Sequence, residues 1–485
     1  MGALNLAVVM WALAAGEVET AKLSPARAVA VTEVDKHAEL VVGLGKQVWE
    51  FAETAFQEFK SAELLASTLE KAGFKVRRKV AGMPSAFIAE YGSGKPVIAI
   101  LAEYDALPGL SQAATTQQTP VPGQTAGHGC GHNLFGAACM GAALAARRAM
   151  DEHKLAGTLR VYGCPAEEGG CGKAYMVREG LFDDVDAALH WHPGAKNGAA
   201  PRSSLAVIRF RVRFAGRAAH ASGSPEKGRS ALDGVELMNV GINYLREHVP
   251  STARIHYVVT RGGQRPNIVP EHAEAWYYIR APQMATAQGI FERVKKIAEG
   301  AALMSETKHS VHLLTGSYEI LINDPLARVM DGNLRAIGAP EFNAEELKFA
   351  EDLRKTLGLG DVPDRDTGST GPIDTGIARF APGGGEGSTD VGDVSWVVPT
   401  AGLSVATCAR GTPGHSWAMT ACSGSPLGQR GSLTAAKVLA ATAVQLLEEP
   451  QQLAAGKSDF TARRGDVKFH PVLEPGPPPE KLDDF

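Results

Sequence analysis

No stretch of this 485-residue chain is apolar for long enough to cross a bilayer. The nearest approach runs from Ala3 to Ala15, short of the ~20 residues a spanning helix needs. Cysteine is also scarce. Six residues, Cys130, Cys139, Cys164, Cys171, Cys408 and Cys422, are too few to make a disulfide scaffold. Neither sign of charge prevails: 49 basic and 53 acidic side chains leave a net −4. No run of Lys and Arg forms a patch, so the sequence points to no nucleic-acid partner and no membrane partner. There is no internal repeat, which removes solenoid and propeller architectures.

What is present is globular. Hydrophobic residues make up 44% and charged residues 21%, ordinary values for a globular chain. The length exceeds one comfortable core, so two domains are expected. Residues 1–30 read as a leader. Ala28-Val29-Ala30 offers a small-residue cleavage site. However, no Lys or Arg precedes the apolar run, and Glu17, Glu19, Lys22 and Arg27 fill the stretch before the site. The protein is therefore expected in the cytoplasm, or exported if the apolar segment is a signal peptide.

Periodicity predicts an α/β catalytic domain over 31–204. Helical spacing runs from Lys36 to Gly73, with Leu40, Leu44, Val48, Phe51 and Ala55 in step. Pro96–Leu101 is a continuous apolar run, as in a strand buried on both faces. Asn133–Met150 reads as a buried helix, and Thr158–Gly163 and Val185–Leu189 as strands. The alternation argues a mostly parallel sheet flanked by helices.

From Leu205 the texture changes. Val207, Phe210, Val212 and Phe214 interleave with Arg209, Arg211 and Arg213. A helix at 229–248, strands at 254–260 and 272–280, a helix at 285–303 and a strand at 308–314 follow. That βαββαβ order is ferredoxin-like, and it predicts an inserted α+β lid and dimerisation domain over 205–315. The catalytic domain resumes over 316–450, with a long irregular loop at 359–387, a strand at 401–408 and an amphipathic helix at 432–447. The C-terminal tail is assigned to 451–485; after Gly456 it is charged, ends in Pro-rich sequence and is expected to be poorly ordered.

Four separate segments bring metal-type ligands to strand ends. They are Gly127-His128-Gly129-Cys130-Gly131-His132-Asn133, Pro165-Ala166-Glu167-Glu168-Gly169-Gly170, His190-Trp191-His192-Pro193 and Gly411-Thr412-Pro413-Gly414-His415. Ligands of open α/β sheets bind beyond the carboxyl ends of the strands. Glycines let Cys130 and His132 turn towards one point, and the helix that follows favours a thiolate. Singly, each segment has an ordinary structural reading: a packed Cys-x-His, a solvated Glu pair, a packed His pair, a loop histidine. Four such segments obeying one rule in one domain favour a shared site. Adjacent carboxylates cannot easily bind the same ion, so one can ligate while the other takes the proton of the attacking water.

At these residues the sequence resembles the co-catalytic metallopeptidase and amidohydrolase family that includes aminoacylase, hippurate hydrolase, auxin-conjugate hydrolases and carboxypeptidase G. The resemblance runs from about Lys36 to Leu447. Besides the segments above it rests on Leu101-Ala102-Glu103-Tyr104-Asp105-Ala106-Leu107-Pro108, Ala219-His220-Ala221 and Arg265-Pro266-Asn267-Ile268-Val269-Pro270. Trp191-His192-Pro193, the string from Gly387 to Trp396 and that from Gly411 to Trp417 resemble the branch acting on p-aminobenzoyl-glutamate.

The resemblance implies an amidohydrolase cleaving an amide bond next to a free carboxylate, with two divalent ions per chain, Zn²⁺ or Mn²⁺. It implies Cys130, His132, Glu168, His192 and His415 as ligands, Glu168 being shared, and Glu167 as general base. His220 would stabilise the oxyanion in a neighbouring subunit's site, Asn267 would orient the substrate there, and Arg280 would meet its carboxylate. The partner would be a second copy or a related subunit. Two features depart from many relatives. Asn133 stands where Asp is common, which bears on substrate rather than mechanism. His190 and His192 both precede Pro193 on one strand face; the closer branch selects His192. The alternative is a dipeptidase or N-acyl amino acid deacylase on the same scaffold. A cysteine hydrolase using Cys130 leaves Glu167-Glu168 and His415 unexplained, and a degenerate binding protein should have lost a ligand.

Overall fold

The computed structural model describes residues 22–360, 363–364, 366–385 and 387–482. Helices α1 (Pro25–Lys36), α2 (Ala38–Phe51) and α3 (Phe59–Lys71) lead into a hairpin, β1 (Lys75–Arg78) and β2 (Phe87–Ser93). Then come β3 (Val97–Glu103), α4 (His132–His153), β4 (Gly157–Cys164), α5 (Gly172–Arg178) and β5 (Ala187–Gly194). The inserted unit comprises β6 (Ala206–Ala215), α6 (Ala231–Leu245), β7 (Arg254–Arg261), β8 (His272–Ala281), α7 (Met284–Met304) and β9 (Lys308–Ser317). The chain returns through α8 (Asp324–Ile337), α9 (Ala344–Thr356), α10 (Val391–Ser395), β10 (Thr400–Ala406), α11 (Trp417–Gly424), α12 (Pro426–Glu448) and α13 (Pro450–Arg464).

The large sheet has the order β1-β2-β4-β3-β5-β10. Its strands β4, β3, β5 and β10 run parallel, and the β1–β2 hairpin adds an antiparallel edge. Every residue of β3 is buried, as its unbroken apolar run requires of a strand covered on both faces. α4 covers one face through its Ala, Gly and Met residues. α12 was expected to be amphipathic; it is buried on nearly every side, because α4, α8 and the sheet enclose it.

The inserted sheet has the order β7-β8-β6-β9, all antiparallel. That is the ferredoxin-like arrangement the βαββαβ pattern predicts. α6 and α7 cover one face, burying Met238, Ile242, Val294 and Ala298 against Val212, Phe214, Ala275 and Ile279. The arginines of β6 emerge on the other face.

Two expectations at the chain ends need correction. The 1–30 leader ends inside α1, where Ala26, Ala30 and Val34 are buried against α4 and α12. Cleavage after Ala30 would cut a packed helix. The apolar run from Ala3 to Ala15 lies outside the described residues. The tail is not a loose appendage. α13 packs Leu453 and Gly456 beside α8, and Asn323 Nδ2 donates to the Gly456 carbonyl at 2.8 Å. Beyond it, Gly316 N donates to Val472 O at 2.6 Å, Phe469 packs on Tyr318, and Gln57 Nε2 donates to Glu480 O at 2.6 Å. Its charged composition hid one apolar stripe that only the folded neighbours reveal. Among the described residues, no helix is long and apolar enough to cross a membrane.

Candidate metal centre

β3, β4, β5 and β10 are parallel, so their carboxyl ends open on the same edge of the sheet. Glu103 closes β3 and Asp105 follows it. Glu167 and Glu168 follow β4, His190 and His192 lie on β5, and the loop after β10 carries His415. Cys130 and His132 enter from the start of α4. Gly131 between them has φ 80°, and a Cβ there would come within 2.9 Å of the Pro193 side chain. Only glycine fits that turn.

The side chains converge. Three groups have ligand atoms within 4.8 Å of one another: Cys130 with His132 and His192; Cys130 with Glu168 and His415; and Glu103 with His132 and Glu167. Cys130 Sγ lies 3.4 Å from His192 Nε2, and His415 Nε2 lies 3.3 Å from Glu168 Oε1. All five expected ligands are thus brought together, and Glu167 stands beside them. Cys130, rather than Glu168, is the residue common to the first two groups.

The two ring tautomers follow from their partners. His192 Nδ1 donates to the Pro193 carbonyl at 2.7 Å, and His132 Nδ1 to Asp105 Oδ1 at 2.8 Å. The His192 ring then presents an unprotonated Nε2 to the cluster, while both Nδ1 contacts fix ring orientation as they do for metal-ligating histidines. His190 is different. It packs over Gly402, where a Cβ would meet its Nε2 at 2.3 Å, and it belongs to none of the three groups. Asn133 also lies apart in function, since its Nδ2 donates to the Gly45 and Ser423 carbonyls at 3.0 Å and so ties α4 to its neighbours.

Beneath the cluster lies a buried charge network that the sequence reading missed. Lys173 Nζ bonds Glu103 Oε1 at 2.6 Å and Asp390 Oδ1 at 2.7 Å. Asp105 Oδ2 accepts from Glu168 N at 2.8 Å and so fixes the Glu-Glu loop. Glu103 and Asp105 could have been found, for they follow a strand end as the other candidates do. Nothing local marks Lys173 and Asp390 as a pair.

Above the cluster opens a cavity of about 750 Å³ lined by Arg209, Tyr278 and Arg280 together with Cys130, Glu167, Glu168, His192 and His415. Arg280 Nη1 donates to Ser388 Oγ at 3.2 Å. His220 and Asn267 do not line this cavity. They sit together on the inserted unit, where His220 pairs with Ile268 and Ala221 N donates to the Asn267 carbonyl at 3.1 Å.

The family model described as peptidase family M20/M25/M40 matches residues 99–375. One of the subunits of the p-aminobenzoyl-glutamate hydrolase of Escherichia coli (strain K12) is 47% identical over 436 residues, which cover 84% of this chain and 90% of that protein. The Xaa-Arg dipeptidase of Mus musculus is 28% identical over 466 residues, covering 92% of this chain and 95% of that one. The chain belongs to peptidase family M20/M25/M40. It is a metal-dependent amidohydrolase. Its fold is that of a solved dinuclear metal-binding M20 peptidase from Bacillus subtilis, with a TM-score of 0.55, 21% identity, and coverage of 85% of this chain and 99% of that one.

The residues present fit divalent cations of this M20 fold. His132 Nε2 and Glu168 Oε1 are buried without hydrogen-bond partners. The donor set of thiol, imidazole and carboxylate suits zinc and similar ions. The electrostatics agree. Burial, with the neighbouring Glu167 charge adding to it, pushes Glu168 up to about 8. Burial likewise raises Glu167, with Glu103 adding, and raises the Cys130 thiol, with Glu168 adding. His192 is exposed and lines the cavity, yet the protein packed around it and then the His132 charge push it down to about 4. A site that disfavours several anions and holds His192 neutral is one that dications complement.

Proposed function

We propose that this enzyme hydrolyses the amide bond between an acyl group, such as p-aminobenzoyl, and an amino acid with a free carboxylate, such as glutamate. The observation that carries the reading is one cavity lined by Cys130, Glu167, Glu168, His192, His415 and Arg280, with His132 buried within ligand distance of Cys130 and His192. The similarity to the Escherichia coli p-aminobenzoyl-glutamate hydrolase suggests the substrate class.

Two ions, Zn²⁺ or Mn²⁺, would be held by Cys130, His132, His192, Glu168 and His415. Such ions polarise an amide carbonyl and make water acidic near neutral pH. Glu167 takes the proton of the attacking water and delivers it to the leaving nitrogen. Arg280 holds the substrate carboxylate. The cationic wall disfavours the dipeptides with C-terminal arginine that the mouse relative is named for.

His220 stabilises the carbonyl oxygen from a neighbouring subunit, and Asn267 beside it orients the substrate. Its Nδ1 accepts from the backbone N–H groups of Ser222 at 3.2 Å and Gly223 at 3.0 Å. The ring proton therefore sits on Nε2, ready to donate. The dimer would form through the inserted domain. β7 is an edge strand with Val258 and Val259 exposed, and Val240 and Tyr244 are exposed on α6. An edge with exposed apolar residues invites pairing. The second chain is another copy or a related subunit, since the Escherichia coli relative is named as one subunit of its hydrolase.

The test is a hydrolysis screen of acyl-glutamates, neutral N-acyl amino acids and dipeptides with the purified chain, alone and with a related subunit. Acyl amino acid hydrolysis is expected, lost in chelator and restored by Zn²⁺ or Mn²⁺. Turnover that survives complete metal removal overturns the reading. Metal analysis gives a second check. Two equivalents per chain are expected in the native enzyme. His192→Ala is expected to lose at least ~10-fold in metal affinity, whereas His190→Asn keeps both ions. The reverse result reassigns the ligand.

A further inference from the structure

β6 carries three arginines on one face, and they are not equivalent. Arg211 and Arg213 both meet Glu274, at 3.4 and 2.5 Å. Arg209 has no carboxylate within ion-pair distance among the described residues. It is also the most buried of the three, at 6% exposure, and it lines the cavity above the metal ligands. Its Nη1 donates to Cys171 Sγ at 3.0 Å and lies 3.5 Å from Thr315 Oγ1 and Ser317 Oγ. Its Nε is buried with no hydrogen-bond partner. Glu167 and Asp393 feel its charge only at longer range. A buried guanidinium surrounded by neutral groups is costly unless an anion joins it.

Register sets where that anion would sit. Arg209 pairs across the ladder with Tyr278, and Val207 pairs with Arg280. Arg209 and Arg280 are therefore diagonal neighbours on one face of adjacent strands. Tyr278 lies beside both, and the Arg209 guanidinium stands 5.3 Å from its ring centre. Two cations thus face one cavity, more than a single carboxylate requires.

We propose that Arg209 and Arg280 form a subsite for the two carboxylates of an acidic amino acid, Arg280 taking the α-carboxylate and Arg209 that of the side chain. The subsite selects acyl-glutamate or acyl-aspartate over neutral and basic residues, because a guanidinium bonds a carboxylate more strongly than an amide. This inference rests on the substrate reading given above and names its specificity determinant.

The experiment compares kcat/KM for p-aminobenzoyl-glutamate and p-aminobenzoyl-glutamine, which differ by one charge and hardly in shape, using the metal-loaded enzyme. A preference for glutamate of at least ~10²-fold is expected. In Arg209→Gln that ratio should fall towards unity, and Arg209→Lys should restore part of it. A wild-type enzyme indifferent to the charge overturns the proposal. So does an Arg209→Gln enzyme that lowers both substrates equally, since that marks a structural role. Calorimetric binding of free glutamate and glutamine to the wild-type enzyme is the independent readout. It needs no variant to fold and no acyl substrate to be turned over. Tighter glutamate binding supports the subsite even if the amide substrate is misassigned, and equal binding sinks it.

Discussion

Replacing Glu167 with Gln is expected to leave both ions bound and to lower kcat by at least ~10²-fold. The substitution keeps the size and hydrogen-bonding shape of the side chain and removes only its ability to take a proton. Glu167 is well placed to show this cleanly. It belongs with Glu103 and His132 in one group but not in the two that contain Cys130, so its loss should spare those ligands. Asp105 anchors the loop through the backbone of Glu168, which the substitution does not touch. Metal content and steady-state turnover measured on the same preparation separate the outcomes. Full metal with near wild-type turnover removes Glu167 from the role of base. Lost metal makes it a ligand instead.

His220→Ala is expected to cost ~10²–10³-fold in kcat, the usual loss on removing one preorganised oxyanion donor. The larger consequence is in mixtures. Glu167→Gln and His220→Ala chains are each inactive alone, yet a mixed dimer contains one site with an intact Glu167 and an intact His220 from the other chain. Under subunit exchange, up to about a quarter of wild-type activity should return, since half the dimers are mixed and each has one complete site. The geometry motivates the test: His220 lies outside the cavity of its own chain, with Nδ1 occupied by backbone donors and Nε2 free to donate. If mixed dimers form and no activity returns, His220 acts within its own chain or not at all.

Much of the centre was legible in the sequence because metal ligation needs particular donors on short, glycine-flexed strings. Cys130-Gly131-His132, Glu167-Glu168 and His415 are local patterns, and the rule that places them at strand ends needs only the order of strands and helices. The βαββαβ unit was legible for the same reason, since the alternation of Val207, Phe210, Val212 and Phe214 with arginines already names a half-covered sheet. Two long-range features were not legible. Ala28-Val29-Ala30 in α1 reads as a cleavage site and the charge of α13 as a tail, and their apolar stripes gain meaning only against α4, α12 and α8.

The sequence by itself determined the chemistry: which donors exist, that they gather at one sheet edge, and that a second, antiparallel unit interrupts the first. The tertiary structure set apart residues that the sequence leaves alike. His190 and His192 share a strand face, and it is Gly402 on the neighbouring strand that receives one while Cys130 meets the other. Lys173 and Asp390, 217 residues apart, compensate each other's charge only once folded. Arg209, Arg211 and Arg213 look alike in the sequence, and a single Glu274 across the ladder pairs with two and leaves the third facing the site. Residue type and spacing set what a side chain can do. Burial and charge compensation depend on what packs across from it, and that partner is chosen by the fold.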